Sequence, residues 1–239
     1  MTDYRVTMAD QSMPPAHSTL TTGTPTLSAF PEPVSLLQTG DTKSRLLVIQ
    51  GAITVFRRFA FHEATFDLVA TAAKVTVQEV TARFPTWDDL LIATIDYWNG
   101  QRMRLILPVA ERSGAAAFLR GIVQANIDDP ALMRLLSATV NVAATPEHPM
   151  ASFLHEEYHR FHLMVAHQLA ADIRAGREPS TMEPARGAEQ LIALYEGLQL
   201  QSMVRPTMNL LEAYDRAVTR MRAGWNREYV APVWDLSAH

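Results

Sequence analysis

One segment of the chain combines histidine and glutamate at a spacing that could bind a metal. Residues 155–159 read His-Glu-Glu-Tyr-His, which satisfies the H-E-x-x-H pattern in which two histidines bind zinc and the glutamate acts as a base. His162 lies on nearly the same helical face. The segment also carries apolar residues at helical spacing, typical of a packed structural helix: Leu154, Phe161, Val165 and Leu169. We therefore expect no metal site, and histidines that hydrogen-bond across an interface and respond to pH near neutrality.

Composition narrows the functional classes further. The 239 residues include no cysteine, which excludes disulfides, thiolate catalysis and cysteine-ligated metals. No Ser/His/Asp arrangement, glycine-rich phosphate loop or dinucleotide fingerprint is present, so we expect no catalytic residues and no cofactor. No apolar run approaches the roughly 18 residues that span a bilayer. The sequence predicts a cytoplasmic protein without a membrane partner, whose 48% apolar content can form a substantial core.

A second group of polar residues marks helix starts. Thr76 and Glu79 have the spacing of a capping box, in which each side chain accepts the other residue's backbone N–H. This predicts a short helix ending near Phe84-Pro85. Thr86 then precedes two acids, a second start signal, and predicts a long helix running towards Pro108. A threonine at position 65 opens an earlier short helix.

The elements that position these residues are all helical. Residues 1–41 are rich in Thr, Ser and Pro and indicate a flexible arm. A first helix follows from Lys43, on an apolar stripe that includes Val48, Ala52 and Phe56. Five further helices are predicted at about 113–127, 131–144, 150–175, 184–204 and 207–224, because proline and glycine interrupt the apolar period between them. The predicted fold class is all-α.

Short capped helices followed by a long one suggest a helix-turn-helix. Residues 48–91 resemble the DNA-binding region of the tetracycline-repressor family without a gap. The matching residues are Ala52, Phe56, Phe61, Thr65, Val69, Ala70, Ala72, Ala73, Val75, Thr76, Val80, Phe84, Pro85 and Leu90. Residues 170–179 (AADIRAGREP) and 183–206 resemble the penultimate helices of the same family, which form a dimerising four-helix bundle.

The resemblance implies a helix-turn-helix domain at 42–90, an effector-binding and dimerisation domain at 91–225 and a tail at 226–239. It implies a ligand-responsive homodimer, usually a repressor, on a near-palindromic operator with recognition helices about 34–36 Å apart. Contacts to phosphates or bases of double-stranded DNA are expected from Arg45, Thr65, Lys74, Thr76, Val77, Gln78, Thr81, Arg83 and Trp87.

Two further residue sets are expected in the larger domain. A small apolar effector would lie between its helices, lined by Trp98, Met103, Leu107, Phe118, Met133, Leu136 and Phe161. The interface between two copies is expected at Phe161, Val165, Leu191, Leu194, Tyr195, Gly197, Leu198 and Gln201. Gly197 costs about 1 kcal/mol against alanine inside a helix, which favours a close approach of a second helix there.

Departures from the family pattern keep other functions open. Lys74 replaces the usual turn glycine, Thr81 a phosphate-contacting tyrosine and Trp87 a lysine. Residues 41–91 hold six basic and six acidic side chains, a weak electrostatic footprint for DNA. The alternative function is a family member with degenerate DNA reading that acts as a small-molecule- or partner-binding dimer. A metalloenzyme built on the histidine segment is the third possibility.

Overall fold

The structure, a computed structural model, describes residues 40–228 and Val230. All regular structure in this range is helical, which confirms the all-α prediction. The helices are α1 Gly40–Arg58, α2 Phe66–Ala73, α3 Val77–Arg83, α4 Trp87–Ser113, α5 Ala115–Asp128, α6 Pro130–Ala143, α7 Ala151–Arg174, α8 Pro184–Val204 and α9 Leu210–Trp225, with a 3₁₀ turn at Phe61–Glu63. The predicted arm, except its last two residues, and most of the predicted tail lie outside the described residues.

The first three helices form a small head whose packing depends on Gly51. A Cβ at Gly51 would lie 2.8 Å from the Cβ of Ala73 and 3.0 Å from the carbonyl oxygen of Val69, closer than real atoms pack. Only glycine therefore lets α1 approach α2 this closely. On the same stripe of α1, Ala52 and Phe56 are buried in the core, as the apolar period predicts.

Helix α4 is longer than the sequence predicts. It continues through Pro108 and ends at Ser113, where Gly114 adopts a positive φ of 88°. A proline inside a helix removes one backbone hydrogen bond, but Pro108 is on the exposed side, where water can solvate the freed carbonyl. On the opposite side Ile106 and Ala110 are buried, and this burial keeps the helix intact on both sides of the proline.

In the part of the chain that the structure describes, buried apolar side chains form two cores. The first is formed by α1–α3 and the start of α4, together with Leu132 and Leu135 of α6 and Leu154 of α7. The second lies among α4, α5, α7, α8 and α9. The head therefore shares its core with α6 and α7, because helices of the larger region cover its apolar surface.

A buried carboxylate joins the end of α7 to the start of α5. Asp172 is 1% exposed and accepts hydrogen bonds from the backbone N–H of Ala115 at 2.8 Å, from Gln168 at 2.9 Å and from Arg177 at 2.8 and 3.0 Å. The N-terminus of α5 favours a negative charge at this point. The family-like run at 170–179 thus has a structural role, which periodicity alone does not reveal. No helix among the described residues is long and apolar enough to cross a membrane.

Candidate nucleic-acid interface and effector cavity

Helix α3 presents one polar face to solvent. Val80 and Phe84 are 0% exposed and fix the opposite face against the head. Gln78 is exposed, and Lys74 precedes the helix in an exposed turn. Val77 and Thr81 lie at helical spacing beside Gln78 and are half-buried. A seven-residue helix held in this way can enter a groove with its Gln78 side while its other side remains packed.

The threonines predicted to face phosphates are engaged as helix caps. The hydroxyl oxygen of Thr76 accepts the N–H of Glu79 at 3.2 Å, and the Glu79 carboxylate accepts the N–H of Thr76 at 2.8 Å, which confirms the predicted capping box. These hydrogen bonds, the backbone one foremost, lower the pKa of Glu79 below 4.5. Thr65 caps α2 by accepting the N–H of Leu68 at 3.3 Å. Both threonines remain exposed beside the N-termini of their helices, where N–H groups favour anions.

Both arginines that are predicted to contact DNA, Arg45 and Arg83, have bonding partners inside the head. The Nη1 of Arg45 donates to the carbonyl oxygen of Arg83 at 2.6 Å, and its guanidinium lies 4.2 Å from the centre of the Phe84 ring. Arg83 donates to the carbonyl oxygen of Glu79 at 2.7 Å and lies 4.0 Å from the Asp41 carboxylate. Both side chains therefore fasten the end of α3 to α1, and these contacts restrain their approach to a phosphate.

Thr81 and Trp87 also have internal partners. The Thr81 hydroxyl donates to the carbonyl oxygen of Val77 at 3.1 Å. The Trp87 ring packs edge-on against Phe66 at 5.2 Å and against Phe56 at 6.1 Å. Trp87 therefore stabilises the junction of α1, α2 and α4, and the structure gives it a packing role beside the DNA contact predicted from its position.

A small cavity lies between α4, α5, α6, α7 and α8. Its volume is about 90 Å³. Four residues of the predicted effector set line it: Met103, Met133, Leu136 and Phe161. The other three do not: Trp98 belongs to the head core, and Leu107 and Phe118 pack in the second core. Five helices thus converge on the place where the sequence predicts a ligand.

Polar and charged residues that the sequence analysis missed also line the cavity. They are Asn99, Arg102, Glu157, Tyr158 and Glu196, with Tyr195 beside them. On α4, Ile95, Asn99 and Arg102 follow the i, i+4, i+7 spacing of one helical face. A polar pair on an otherwise apolar stripe is the sequence signal that identifies them. The sequence predicts a small apolar effector, but the cavity wall carries more charged groups than such a ligand requires.

Arg102 occupies the cationic side of the cavity wall. Its Nη1 donates to the side-chain oxygen of Asn126, and its Nη2 donates to that of Asn99 at 3.3 Å. The amide of Asn126 in turn donates to the hydroxyl of Tyr195 at 3.0 Å. Burial lowers the pKa of the Arg102 guanidinium, because desolvation disfavours its charged form.

The acidic groups of the cavity have partners of their own. Glu196 is hydrogen-bonded to Tyr158, and burial raises the pKa of both groups. Glu157 forms an ion pair with Arg160, one turn further along α7. Glu157 also faces an open cleft behind α3 that is lined by Arg45 and Arg83. This side chain therefore lies between the cavity and the base of the head.

The residues predicted for an interface between copies fall into two groups. Val165, Leu191 and Tyr195 are 0%, 0% and 6% exposed inside the protomer, so the predicted direct contact of these three with a second copy is corrected. Phe161 is half-buried and lines the cavity, and its contact with a second copy stays a prediction. The second group shares one surface of α8: Leu194, Gly197, Leu198 and Gln201. These four residues define the α8 face.

The histidine segment lies on α7, where His155 and His159 are exposed and His162 is half-buried. Among the described residues, no three side chains of the histidine, cysteine, aspartate or glutamate type come together as metal ligands do. The turn of α7 that satisfies the zinc pattern places Leu154 in the head core and Glu157 at the cavity. Its apolar spacing therefore reflects packing.

The chain is similar in sequence and in fold to known transcriptional regulators. Residues 111–223 match the model of the C-terminal region of BetI-type transcriptional repressors. A TetR transcription regulator from Haloarcula marismortui superposes with a TM-score of 0.67 at 14% identity, covering 77% of this chain and 98% of that one. FadR from Thermus thermophilus, a TetR-family repressor in complex with lauroyl-CoA, superposes at 0.55 with 17% identity, covering 80% and 99%.

A third solved structure is SmeT, the repressor of a multidrug efflux pump of Stenotrophomonas maltophilia, with a TM-score of 0.58, 16% identity and coverage of 79% and 91%. No curated protein matches the chain. The structural likenesses show a shared fold, and the matched C-terminal region lies behind a capped three-helix head. Residues 111–223 thus match a model of TetR-type transcriptional repressors, and the described chain has the fold of TetR-family regulators.

Proposed function

We propose that the protein is a homodimeric repressor that binds a near-palindromic operator through α3 and releases it when an effector occupies the cavity. The head comprises residues 42–90 and the effector-binding and dimerisation region residues 91–225. Gln78 reads a base edge, while Lys74 and the start of α3 at Thr76 contact phosphates. Repression and ligand response are supported by the family match and by the FadR neighbour, which is a repressor in complex with lauroyl-CoA.

One observation carries this proposal: helix α6 contributes side chains both to the wall of the cavity and to the core of the head. On α6, Met133 and Leu136 line the cavity, while Leu132 and Leu135 lie in the core of the head at 0% and 2% exposure. Closely packed interiors transmit displacement because they contain few voids. A ligand that moves α6 on one face must therefore shift what packs against the other.

An ion pair connects the same helix to α1. Asp129, which directly precedes α6, accepts hydrogen bonds from Arg57 at 2.6 and 3.1 Å. The Arg57 guanidinium also lies 5.2 Å from the centre of the Trp98 ring on α4. The end of α1 is thereby coupled to α4 and α6, two of the five helices that line the cavity.

The ligand response needs two arrangements of the head with different affinity for the effector. An effector shifts the population only by the difference between its affinities for these two states. We expect the effector-bound arrangement to change the separation of the two recognition helices from the about 34–36 Å of one DNA turn, which lowers operator affinity.

DNA binding is tested by selecting duplexes from a random library with the full chain and measuring anisotropy of the selected duplex against a scrambled one. We expect a preference of at least about 10³-fold and an affinity that falls with rising salt. Gln78→Ala should lose affinity for the selected duplex only, whereas Lys74→Ala should weaken binding to both. Arg112→Ala, exposed at the far end of α4, is the matched control. Equal affinity for selected and scrambled duplexes would contradict the proposal.

A second candidate function is favoured by the internal contacts of the head's arginines. Arg57 is paired with Asp129, and Arg45 and Arg83 are hydrogen-bonded to carbonyl oxygens within the chain, which leaves fewer N–H donors free for phosphates. A dimer that binds a small molecule or a partner protein without reading DNA is consistent with this. It predicts the absence of any sequence preference in the same experiment, together with retained ligand binding.

A further inference from the structure

The cavity wall contains a cation without an acidic partner. Arg102 is bonded to the amide oxygens of Asn126 and Asn99, and its Nε, although buried, has no hydrogen-bond partner among the described residues. Amide oxygens carry no net charge, so they solvate the guanidinium without neutralising it. A desolvated charge of this kind is costly unless an opposite charge joins it.

The acidic groups around Arg102 are engaged elsewhere. Asp129 acts on it electrostatically, but its carboxylate is paired with Arg57 at 2.6 Å. On α7, Glu157 is paired with Arg160, and on α8, Glu196 is hydrogen-bonded to Tyr158. None of these carboxylates forms an ion pair with Arg102, and burial raises the pKa of Glu196 towards its neutral form, so the Arg102 charge has no acidic partner in the cavity.

The guanidinium is also held in a fixed orientation. The Asn126 amide is 3% exposed; its oxygen accepts from Arg102 and its nitrogen donates to Tyr195, whose hydroxyl lies 3.8 Å from the sulfur of Met133. This chain crosses α4, α5, α8 and α6. Preorganised donors bind an anion more strongly than mobile surface donors, because less order is lost on binding.

The remainder of the cavity limits the size of the occupant. A volume of about 90 Å³ is smaller than the roughly 150 Å³ of an apolar cavity that binds benzene. Phe161 and Leu136 offer apolar surface, and a ring or short chain fits once the flexible side chains of Met103 and Met133 move aside and enlarge the cavity. The occupant is therefore compact, with one apolar part.

We propose that this cavity binds a compact monocarboxylate, either an aromatic acid or a short aliphatic one, with its carboxylate on Arg102 and its apolar part against Phe161, Leu136 and the two methionines. The inference rests on the proposed function in one respect: it names the chemical class of the effector to which the repressor responds. A guanidinium matches a carboxylate in charge and in the geometry of paired hydrogen bonds.

Calorimetric titration of the full chain without DNA tests the site directly. The probes are benzoate and hexanoate, each against the alcohol and the amine of the same skeleton. We expect each acid to bind at least tenfold more tightly than its alcohol or amine. Equal binding of benzyl alcohol, preference for benzylamine, or the failure of both acids to bind at millimolar concentration would overturn the proposal.

Substitutions on α4 and α5 test whether the Arg102 guanidinium is the group that binds the carboxylate. Arg102→Met keeps an apolar stem and removes the desolvated charge, so it should fold and lose the acid preference at least tenfold. Asn126→Asp supplies an internal carboxylate to Arg102 at nearly constant shape and should compete with the acids to the same extent. Arg104→Met, exposed two residues further along α4, should bind like the native chain. An unchanged acid preference in both Arg102→Met and Asn126→Asp would assign the binding to another group.

The result is separable from the test of DNA binding. Acid binding that does not release the selected duplex would support the carboxylate site and contradict the ligand response. Effector-free DNA binding with no acid binding would contradict the carboxylate site alone.

Discussion

Lys74 has the most unusual backbone of any single residue in the head. It is the one non-glycine residue with a positive φ among the described residues, at φ 58° and ψ 43°. It closes α2 by donating its N–H to the carbonyl oxygens of Ala70 and Thr71. Glycine is usual at such an end because the left-handed conformation costs other residues about 1–2 kcal/mol.

Replacing Lys74 with glycine should therefore stabilise the protein. Relief of the left-handed strain exceeds the greater entropy that glycine gives the unfolded chain, for a net gain of about 0.5–1 kcal/mol. The midpoint temperature of thermal unfolding should rise by a few degrees. Lys74→Ala keeps the Cβ and is the control, expected to show no such gain. An equal rise in both variants would mean that the charge of the lysine, and not its backbone, is responsible.

The capping box of α3 makes the start of the recognition helix sensitive to acid. Hydrogen bonds from Thr76 hold the pKa of Glu79 below 4.5 in the folded chain. A lowered folded pKa means that the ionised cap stabilises the native state above about pH 4.5 and that this contribution is lost as the pH falls through the lower folded value. Carboxyl-carbon NMR should show Glu79 titrating below 4.5, and Thr76→Ala should move it upwards. Titration at or above 4.5 in the native chain would show that the cap does not form.

Among the secondary-structure elements, the junction of α5 and α7 depends on one buried acid. Asp172 joins the first N–H of α5 to Gln168 and Arg177 of the α7 end. Backbone N–H groups of Arg177 and Glu178 donate to the Asp172 carbonyl oxygen at 2.8 and 3.3 Å. The side chain and main chain of one residue thus fix the turn that precedes α8.

Asp172→Ala should destabilise the fold by about 3–5 kcal/mol, because it leaves buried donors and the Arg177 charge without their acceptor. Asp215→Ala is the matched control. Asp215 also forms a paired bond with an arginine, Arg120, at 2.7 Å, but its side chain is 44% exposed, so the expected loss is below about 1 kcal/mol. Denaturant unfolding monitored by circular dichroism measures both. Similar losses would mean that burial does not set the strength of the Asp172 site.

For the whole molecule, the proposed dimer depends on the α8 face. A Cβ at Gly197 meets no atom within 4 Å in the protomer, so nothing within one copy requires glycine there. Leu200 and Val204 lie further along the same helix at 54% and 79% exposure. A glycine inside a helix beside exposed apolar residues favours close contact with a second chain.

Gly197→Leu should consequently shift the protein towards monomer in analytical ultracentrifugation without destabilising the monomer, because leucine is a better helix former than glycine. Gly100→Leu on α4, where a Cβ also meets no atom within 4 Å, is the control and should remain dimeric. A Gly197→Leu chain that sediments as a stable dimer would place the interface elsewhere.

The helices and their starts follow from the sequence because the forces that specify them are local. A cap such as that of Thr76 and Glu79 involves residues three positions apart, and each apolar stripe repeats within one helix. The cavity position was predicted in part for the same reason: Met103, Met133, Leu136 and Phe161 lie on such stripes. Local patterns do not show which faces of different helices meet, and Val165, Leu191 and Tyr195 were therefore misassigned to the surface.

Contacts between distant segments were decided by the tertiary structure alone. Arg45 reaches the carbonyl of Arg83, 38 residues away, and the hydrogen-bonded chain from Arg102 through Asn126 to Tyr195 crosses 24 and then 69 positions. Burial then gave Arg102 its unmatched charge, since the same arginine in water would need no counterion. Local sequence patterns were enough to specify an all-helical chain with a capped head, whereas packing determined which of its charges are available for a ligand.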